Sequence, residues 1–261
     1  MVNRSADHDT PWLECLSDGR GAKLRLFCFP YAGGTTHMFR EWQKYFMPQV
    51  ELCLVHLPGR GKRFGERLFT RLNFLVDVIA QEIRDKLQTP FALYGHSMGA
   101  LISFELCREL RRRYKIEPAH LFVSGKRAPH IMLSKPVSFN LPRNEFIDEL
   151  RRLNGTSSNL LDHDEAMDLL LPVLRADFEM VETYEYHFEE PLSCPIAVYG
   201  GVQDERVPIE GLYAWKEHTS GDCKVRMFPG GHFFIQNYRN CNIDFVDVLR
   251  RDVLEALGLL R

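Results

Sequence analysis

A serine lies between two glycines in the segment Gly95-His96-Ser97-Met98-Gly99, which we call the serine turn. An apolar run precedes it and an amphipathic run follows it, which predicts a strand, a sharp turn and a helix that begins at Met98. On such a turn the serine hydroxyl is exposed at the end of a sheet, and the helix N-terminus directs unpaired N–H groups towards an oxyanion. We therefore interpret Ser97 as a nucleophile for acyl transfer rather than as part of an ordinary glycine-rich turn.

A serine hydroxyl is a weak nucleophile at neutral pH, so it needs a base and a carboxylate that orients the base. Asp204 and His232 each follow a predicted strand, and the order Ser97, Asp204, His232 is that of hydrolases with this turn. Open α/β sheets bind ligands at the carboxyl ends of their strands, so we expect all three side chains at one edge. Asp222 precedes a strand and is expected at the opposite edge.

Other histidines are less well placed to act as the base. His96 occupies the variable position of the serine turn, and His56 lies in an apolar strand. His163 and His187 fall in a helical segment. His232 follows two glycines on an open loop, which suits a residue that moves protons, so we predict His232 as the base.

The small-residue loop 30–36 follows the first long strand, and we call it the oxyanion loop. In hydrolases with a serine turn, a loop in this position supplies the second oxyanion donor. We therefore predict that the backbone N–H groups of Met98 and Ala32 hold the oxyanion. An ordinary glycine turn is the alternative interpretation of this loop.

Strands and helices alternate along most of the chain, which predicts a parallel sheet covered on both faces. Residues 1–22 are polar and are expected to form a loosely held lead-in. The predicted strands are 24–29, 50–57, 91–94, 121–125, 196–201 and 223–228. The predicted helices are 38–46, 72–87, one from 98, 143–153, 164–171, 172–186, 209–218 and 243–257.

The alternation stops between His130 and Pro191, where only helices are predicted. A helical insertion after the nucleophile is typical of a lid that covers the site and excludes water, and a cap without a gating role is the alternative. We therefore predict an α/β fold with a mostly parallel sheet flanked by helices. It forms one domain over residues 1–261 with a helical lid insertion at about 130–190.

The composition argues against several classes of protein. A net charge of −2 at pH 7 favours neither nucleic acid nor an anionic membrane as a partner. Seven cysteines, scattered and without a Cys-x-x-Cys pair, indicate neither a disulfide framework nor a metal site. Neither a signal-like segment nor a run of about 18 uncharged apolar residues occurs, so we expect a cytoplasmic protein.

Several further motifs occur in one order between residues 24 and 236. They are Phe29-Pro30-Tyr31-Ala32-Gly33-Gly34, Leu57-Pro58-Gly59-Arg60, Phe104-Glu105-Leu106, Ser124-Gly125, Ala128-Pro129-His130, Leu141-Pro142 and Gly230-Gly231-His232-Phe233-Phe234. Together with the serine turn, these motifs resemble those of the type II thioesterases that stand alone beside nonribosomal peptide and polyketide synthases.

The resemblance implies the α/β-hydrolase fold, the triad and oxyanion donors given above, and a helical lid over an acyl channel. It also implies hydrolysis of acyl thioesters on the phosphopantetheine arm of carrier proteins, which clears misprimed or stalled groups. We expect no metal and no cofactor other than that arm, and a monomer. Three alternatives stay open: a medium-chain thioesterase that terminates fatty-acid synthesis, a carboxylesterase or lipase, and a non-catalytic partner protein.

Carrier proteins of these synthases present an acidic helix, as the resemblance implies, so the surface near the channel mouth should be positive. The candidates are Arg60, Lys62 and Arg63 after the second strand, and Lys126 and Arg127 after the strand that follows the serine turn. Both groups follow the carboxyl ends of strands, so we expect them at the same edge as the nucleophile. Solvated loops without a partner are the alternative.

Overall fold

Seven strands form one sheet in the order β1-β3-β2-β4-β5-β6-β7 in the computed structural model, which describes residues 10–131, 137–236 and 245–259. The strands are β1 (Leu13–Cys15), β2 (Leu24–Phe29), β3 (Val50–Val55), β4 (Phe91–His96), β5 (His120–Ser124), β6 (Ile196–Gly201) and β7 (Cys223–Phe228). β1 is antiparallel to β3, and the other neighbouring pairs are parallel. The predicted mostly parallel sheet is confirmed.

Helices cover both faces of the sheet. They are α1 (His37–Arg40), α2 (Gln43–Phe46), α3 (Leu72–Ile83), α4 (Met98–Tyr114), α5 (Arg143–Leu153), α6 (Ser158–Leu161), α7 (Asp164–Glu182), α8 (Ile209–Tyr213) and α9 (Phe245–Ala256). Successive strand residues point to opposite faces, so Phe27 packs in the core with α3 and α4, whereas Cys28 packs in the core with α1, α2 and α9. None of the described helices is long and apolar enough to cross a membrane.

The lead-in was predicted to be loosely held, but its described part contains β1. Leu13 is fully buried and pairs with Val55, so this edge of the sheet is covered by an antiparallel strand. Three residues are too short to show the alternation by which a strand is recognised in a sequence. Residues 1–9 lie outside the described part of the chain.

The helical insertion between β5 and β6 contains α5, α6 and α7. Two helices were predicted around Pro172, but α7 is continuous through it and ends at Glu182. A proline inside a helix removes one backbone hydrogen bond and costs about 3 kcal/mol. Burial of Leu171 and Leu174 against α5 offsets that cost, because the three helices form a small core of their own.

Other predicted helices differ at their ends or are divided. Residues 38–46 form the two short helices α1 and α2, and the helix predicted over 72–87 ends in a 3₁₀ turn at Arg84–Lys86. The helix predicted over 209–218 begins as α8 and continues as a 3₁₀ turn, Ala214–His218. For the last predicted helix, positions 243 and 244 lie outside the described residues.

Candidate active site

Ser97 joins β4 directly to α4 in a backbone conformation that non-glycine residues rarely adopt, with φ +53° and ψ −111°. The strand and the helix pass so closely that a Cβ atom at Gly95 would lie 2.0 Å from the carbonyl oxygen of Gly99. A Cβ atom at Gly99 would lie 2.2 Å from the carbonyl oxygen of Phe29. Both glycines are therefore required for the turn that exposes the Ser97 hydroxyl.

The three side chains of the predicted triad are in contact. His232 Nε2 lies 3.0 Å from Ser97 Oγ, and His232 Nδ1 lies 2.7 Å from Asp204 Oδ2. Asp204 is buried, and its Oδ1 accepts the N–H of Arg206 at 3.0 Å. With its proton on Nδ1, His232 donates to Asp204 and leaves Nε2 free to accept the proton of Ser97, which is the geometry that general-base catalysis needs.

Asp222 precedes β7, and its carbonyl oxygen accepts the N–H of Ile196 at the start of β6. It therefore lies at the edge of the sheet opposite to Ser97, as expected. His56 contacts Glu14 at 3.0 Å and Thr36 at 3.3 Å in a network away from the nucleophile.

The other histidines that were considered as the base also contact groups other than the nucleophile. His96 is fully buried, its Nδ1 lies 2.7 Å from Ser124 Oγ, and burial holds its pKa well below the ordinary value. His163 accepts the N–H of Ala166 in the first turn of α7. The carbonyl oxygen of His187 accepts a hydrogen bond from a buried arginine on α4. None of these contacts is with Ser97.

Both predicted oxyanion donors lie beside the nucleophile. Met98 is the first residue of α4, where a backbone N–H has no acceptor within the helix. Ala32 lines the same cavity as Ser97. The oxyanion loop is held by a turn in which the N–H of Gly34 donates to the carbonyl oxygen of Tyr31 at 2.8 Å.

A cavity with a volume of about 40 Å³ opens at Ser97 and His232. Half of its lining residues come from the helical insertion, and most of those are apolar. The full lining is Tyr31, Ala32, Ser97, Leu150, Leu153, Gly155, Thr156, Leu174, Phe178, Arg206, His232 and Phe233. An apolar group attached to a carbonyl at Ser97 would therefore lie against α5 and α7.

A buried ion pair ties α7 to the oxyanion loop. Asp177, which is 1% exposed, accepts two hydrogen bonds from the Arg60 guanidinium, each at 2.7 Å. Asp177 Oδ2 also accepts the N–H of Gly33 at 2.7 Å, one residue after Ala32. Arg60 was predicted to contact a carrier protein, but its guanidinium is paired with Asp177 and only 10% of its side chain is exposed, so little of it is accessible to a partner.

Arg63 was also predicted to contact a carrier protein, and it is buried instead. Its guanidinium lies 3.7 Å from the centre of the Trp12 ring and donates to the carbonyl oxygen of His56 at 2.9 Å. It also pairs with Glu66. Lys62 is exposed, as the prediction requires.

Lys126 and Arg127 follow β5, at the same edge as Ser97, and both are half-buried. The carbonyl oxygen of Lys126 accepts the indole N–H of Trp215 at 2.8 Å, which fixes the backbone of this loop. Their partial burial makes them less accessible to a macromolecule than Lys62.

Two residues of the site escaped the sequence reasoning. Asp177 lies within a predicted helix, where no local pattern marks a buried carboxylate. Arg206 lines the cavity and follows Asp204 by two residues, so its position after the strand was a usable signal.

Away from the triad, three side chains have potential metal-ligand atoms close together. The ligand atoms of Cys15, Glu51 and Cys53 lie within 4.8 Å of one another, on and beside β1 and β3. Glu51 is already paired with Arg25 at 2.6 Å, and burial raises the pKa of Cys53 well above its ordinary value. A thiol with a raised pKa is a poor metal ligand, so we assign no metal to this group.

Asp177→Asn is expected to lower the activity by about tenfold or more, because Gly33 loses a charged acceptor beside Ala32. It also leaves the Arg60 charge buried without its partner, at a cost of about 3–5 kcal/mol in stability. Steady-state kinetics with a small acyl thioester and thermal unfolding measure the two effects. The matched control is Asp168→Asn on the same helix, an exposed partner of Arg143, which should change neither. A loss of stability with unchanged kcat would show that the ion pair does not position the oxyanion loop.

The comparisons with known proteins cover most of the chain. Residues 24–246 match the family model described as the thioesterase domain. The chain is 45% identical over 235 residues to the gramicidin S biosynthesis protein GrsT of Aneurinibacillus migulanus, covering 90% of this chain and 92% of that protein. It is 33% identical over 251 residues to the medium-chain S-acyl fatty acid synthase thioesterase of Rattus norvegicus, covering 92% of each.

A solved structure has the same architecture. The type II thioesterase BorB from the borrelidin biosynthetic cluster superimposes with a TM-score of 0.83 at 28% identity, covering 97% of this chain and 99% of that one. The higher identity to a peptide-antibiotic protein than to a fatty-acid enzyme makes the fatty-acid alternative less favoured.

Proposed function

Since the chain belongs to the thioesterase family, we propose that Ser97, His232 and Asp204 hydrolyse acyl thioesters carried on the phosphopantetheine arm of carrier proteins. The role is that of an editing type II thioesterase in nonribosomal peptide or polyketide synthesis. The observation that carries the proposal is the contact of Ser97 Oγ with His232 Nε2 at 3.0 Å, at the mouth of a cavity lined by apolar side chains.

The reaction proceeds in two steps. In the first, Ser97 Oγ attacks the thioester carbonyl while His232 Nε2 takes its proton, and Asp204 stabilises the imidazolium. The N–H groups of Met98 and Ala32 hold the oxyanion. When the tetrahedral intermediate collapses, the C–S bond breaks, and the leaving thiolate of the arm takes the proton from His232.

In the second step a water molecule attacks the acyl–serine ester. His232 takes a proton from the water and returns it to Ser97 Oγ as the ester bond breaks, which releases the acid. The chain's own groups supply the nucleophile, the base and the oxyanion donors, so these steps need no cofactor beyond the arm of the partner.

The insertion acts as the lid over the acyl group in this proposal. Six of the cavity's lining residues belong to it, and the pair between Asp177 and Arg60 holds α7 against the oxyanion loop. A covered acyl group is shielded from bulk water before the second step. This favours attack on the acyl–serine ester by a water molecule positioned beside His232.

The discriminating experiment compares an acyl-N-acetylcysteamine thioester with the oxygen ester of the same acyl group. A higher kcat/KM for the thioester is expected, whereas a clear preference for the oxygen ester would favour the carboxylesterase alternative. A fluorophosphonate that labels serine nucleophiles tests the non-catalytic alternative, because such a partner protein would not be labelled. Release of short misprimed groups and of medium-chain acyl groups from a carrier protein then separates editing from chain termination.

Lys62→Glu is expected to slow hydrolysis of acyl-carrier-protein substrates several-fold at low ionic strength, with the difference shrinking as salt is added. Lys62 is exposed after the carboxyl end of β3, and charges at the rim of an interface act mainly on the rate of encounter. Hydrolysis of a small acyl thioester should be unchanged. The control is Lys23→Glu, an exposed lysine before β2 at the opposite edge of the sheet. Equal losses on both substrates would mean that the loop shapes the site instead.

A further inference from the structure

Three cationic residues follow neighbouring strands at the carboxyl edge of the sheet, where the triad also lies, and we call them the cation cluster: Lys126, Arg127 and Arg206. Lys126 and Arg127 follow β5, and Arg206 follows the neighbouring strand β6. Arg206 lines the cavity that Ser97 also lines. Arg206 therefore borders the place where the proposed function puts the reacting thioester, and Lys126 and Arg127 lie on the neighbouring loop.

The backbone fixes the positions of the cluster. The N–H of Arg206 donates to Asp204 Oδ1 at 3.0 Å, so this arginine is tied to the triad. The carbonyl oxygen of Gly211 accepts the N–H of Ala128 at 2.8 Å, which holds the β5 loop against the segment after β6. An anionic group bound here would therefore contact cations whose backbone positions are already fixed.

Few carboxylates neutralise these cations. Glu149 Oε1 lies 3.3 Å from Arg206 Nη2, but the same carboxylate also pairs with Arg152 at 3.2 Å. Within residues 10–131, 137–236 and 245–259, no carboxylate lies at ion-pair distance from Lys126 or Arg127. In that part of the chain, the charges of Lys126 and Arg127 are thus not offset by an ion pair.

Two further carboxylates act on the cluster, namely Asp204 on Arg206 and Glu182 on both Lys126 and Arg206. Glu182 accepts the N–H of Ser138 at 2.7 Å and the N–H of Phe139 at 2.9 Å. Burial, together with the charges of Arg127 and Arg206, lowers the pKa of Lys126 to about 7. The positive charges are therefore close enough to oppose one another, and an anion bound between them would relieve that repulsion.

We propose that the cation cluster is a subsite for an anionic group of the thioester substrate, either a carboxylate on the acyl group or the phosphate of the phosphopantetheine arm. This inference rests on the proposed thioesterase function. Arg206 lines the cavity, and a guanidinium binds carboxylate and phosphate oxygens through paired N–H donors. The apolar wall from α5 and α7 holds the rest of the acyl group.

Two pairs of small substrates test the subsite and separate its two sources. The first pair is the N-acetylcysteamine thioester of glutaric acid and its primary-amide counterpart, which differ in a carboxylate on the acyl group. The second pair is acetyl-phosphopantetheine and acetyl-pantetheine, which differ in the phosphate. The readout is the ratio of kcat/KM for the anionic and the neutral member of each pair, because a general loss of activity cancels in that ratio.

We expect the wild type to prefer the anionic member of one pair by about tenfold, as one charge-assisted hydrogen bond provides. The ratio should fall towards one in Arg206→Gln and partly in Lys126→Gln, and it should shrink with added salt. Arg20→Gln removes an exposed charge before β2, at the opposite edge, and should keep the wild-type ratio.

The outcomes distinguish failure of the proposed subsite from failure of the proposed thioesterase function. Hydrolysis of the neutral thioesters without a preference in either pair would overturn the subsite and leave the thioesterase intact. A wild-type preference that survives in Arg206→Gln would also overturn it. Failure to hydrolyse any of the four thioesters would overturn the proposed function and the subsite together.

Discussion

Ser97→Ala is expected to lower kcat/KM for acyl thioesters by at least about a thousandfold. The variant lacks the oxygen that lies 3.0 Å from His232 Nε2, so no acyl–enzyme can form at this position. The backbone donors at Met98 and Ala32 remain, and they account for whatever residual rate over water is left. Thiol release from an acyl-N-acetylcysteamine thioester measures the loss, and fluorophosphonate labelling should disappear with it.

The fold should survive the same change, because a single hydroxyl at an open turn contributes little to the free energy of unfolding. Ser103→Ala is the matched control on α4, since the Ser103 hydroxyl is buried and has no hydrogen-bond partner among the described residues. Its removal should leave activity unchanged and the melting temperature unchanged or slightly higher. If Ser97→Ala kept more than about a tenth of the wild-type activity, Ser97 would not be the nucleophile.

The serine turn could be predicted because its requirements are local. Gly95 is needed because β4 and the helix that directly follows it cross closely, and Gly99 is needed because that helix approaches Phe29 at the end of β2. Both glycines lie within two residues of Ser97, so the pattern is visible in a short segment. The order of Asp204 and His232 along the chain, each after a strand, was enough to place them at the edge where Ser97 lies. In a parallel sheet, residues that follow successive strands lie at the same edge, which is why the positions of Asp204 and His232 could be predicted from the sequence.

The ion pair between Arg60 and Asp177 could not be predicted in the same way. The two residues are 117 positions apart, and nothing near either one indicates that the charge is buried. A run of cations after a strand is usually solvated, so the sequence favoured a surface role for Arg60 and Arg63. The burial of Arg60 depends on the packing of α7 against the loops after β2 and β3, which no local pattern in the sequence shows.

The passage of α7 through Pro172 has a similar cause. Local preference ends a helix before a proline, and the sequence therefore indicated two helices. The helix continues because Leu171 and Leu174 on either side of it are buried in the core of the insertion. Tertiary packing outweighed a local preference of a few kcal/mol, and it did so where the helix forms the wall of the cavity.

Asp204→Asn should lower the turnover by about 10⁴-fold while keeping the shape of the site. Asp204 Oδ1 accepts the N–H of Arg206, and an asparagine would keep that bond with its own oxygen. Its amide nitrogen would then face His232 Nδ1, which would have to accept a hydrogen bond. The imidazole proton would move to Nε2, and a protonated Nε2 cannot take the proton of Ser97.

Asp222→Asn is the control for this change, because Asp222 precedes β7 at the opposite edge of the sheet and should tolerate the substitution. Steady-state kcat with a small acyl thioester is the measurement for both variants, with thermal unfolding to show that each is folded. A large loss in Asp222→Asn, with Asp204→Asn close to wild type, would reverse the roles of the two carboxylates. It would also contradict the geometry in which Asp204 Oδ2 lies 2.7 Å from His232 Nδ1, since a partner at that distance must govern the tautomer of the ring.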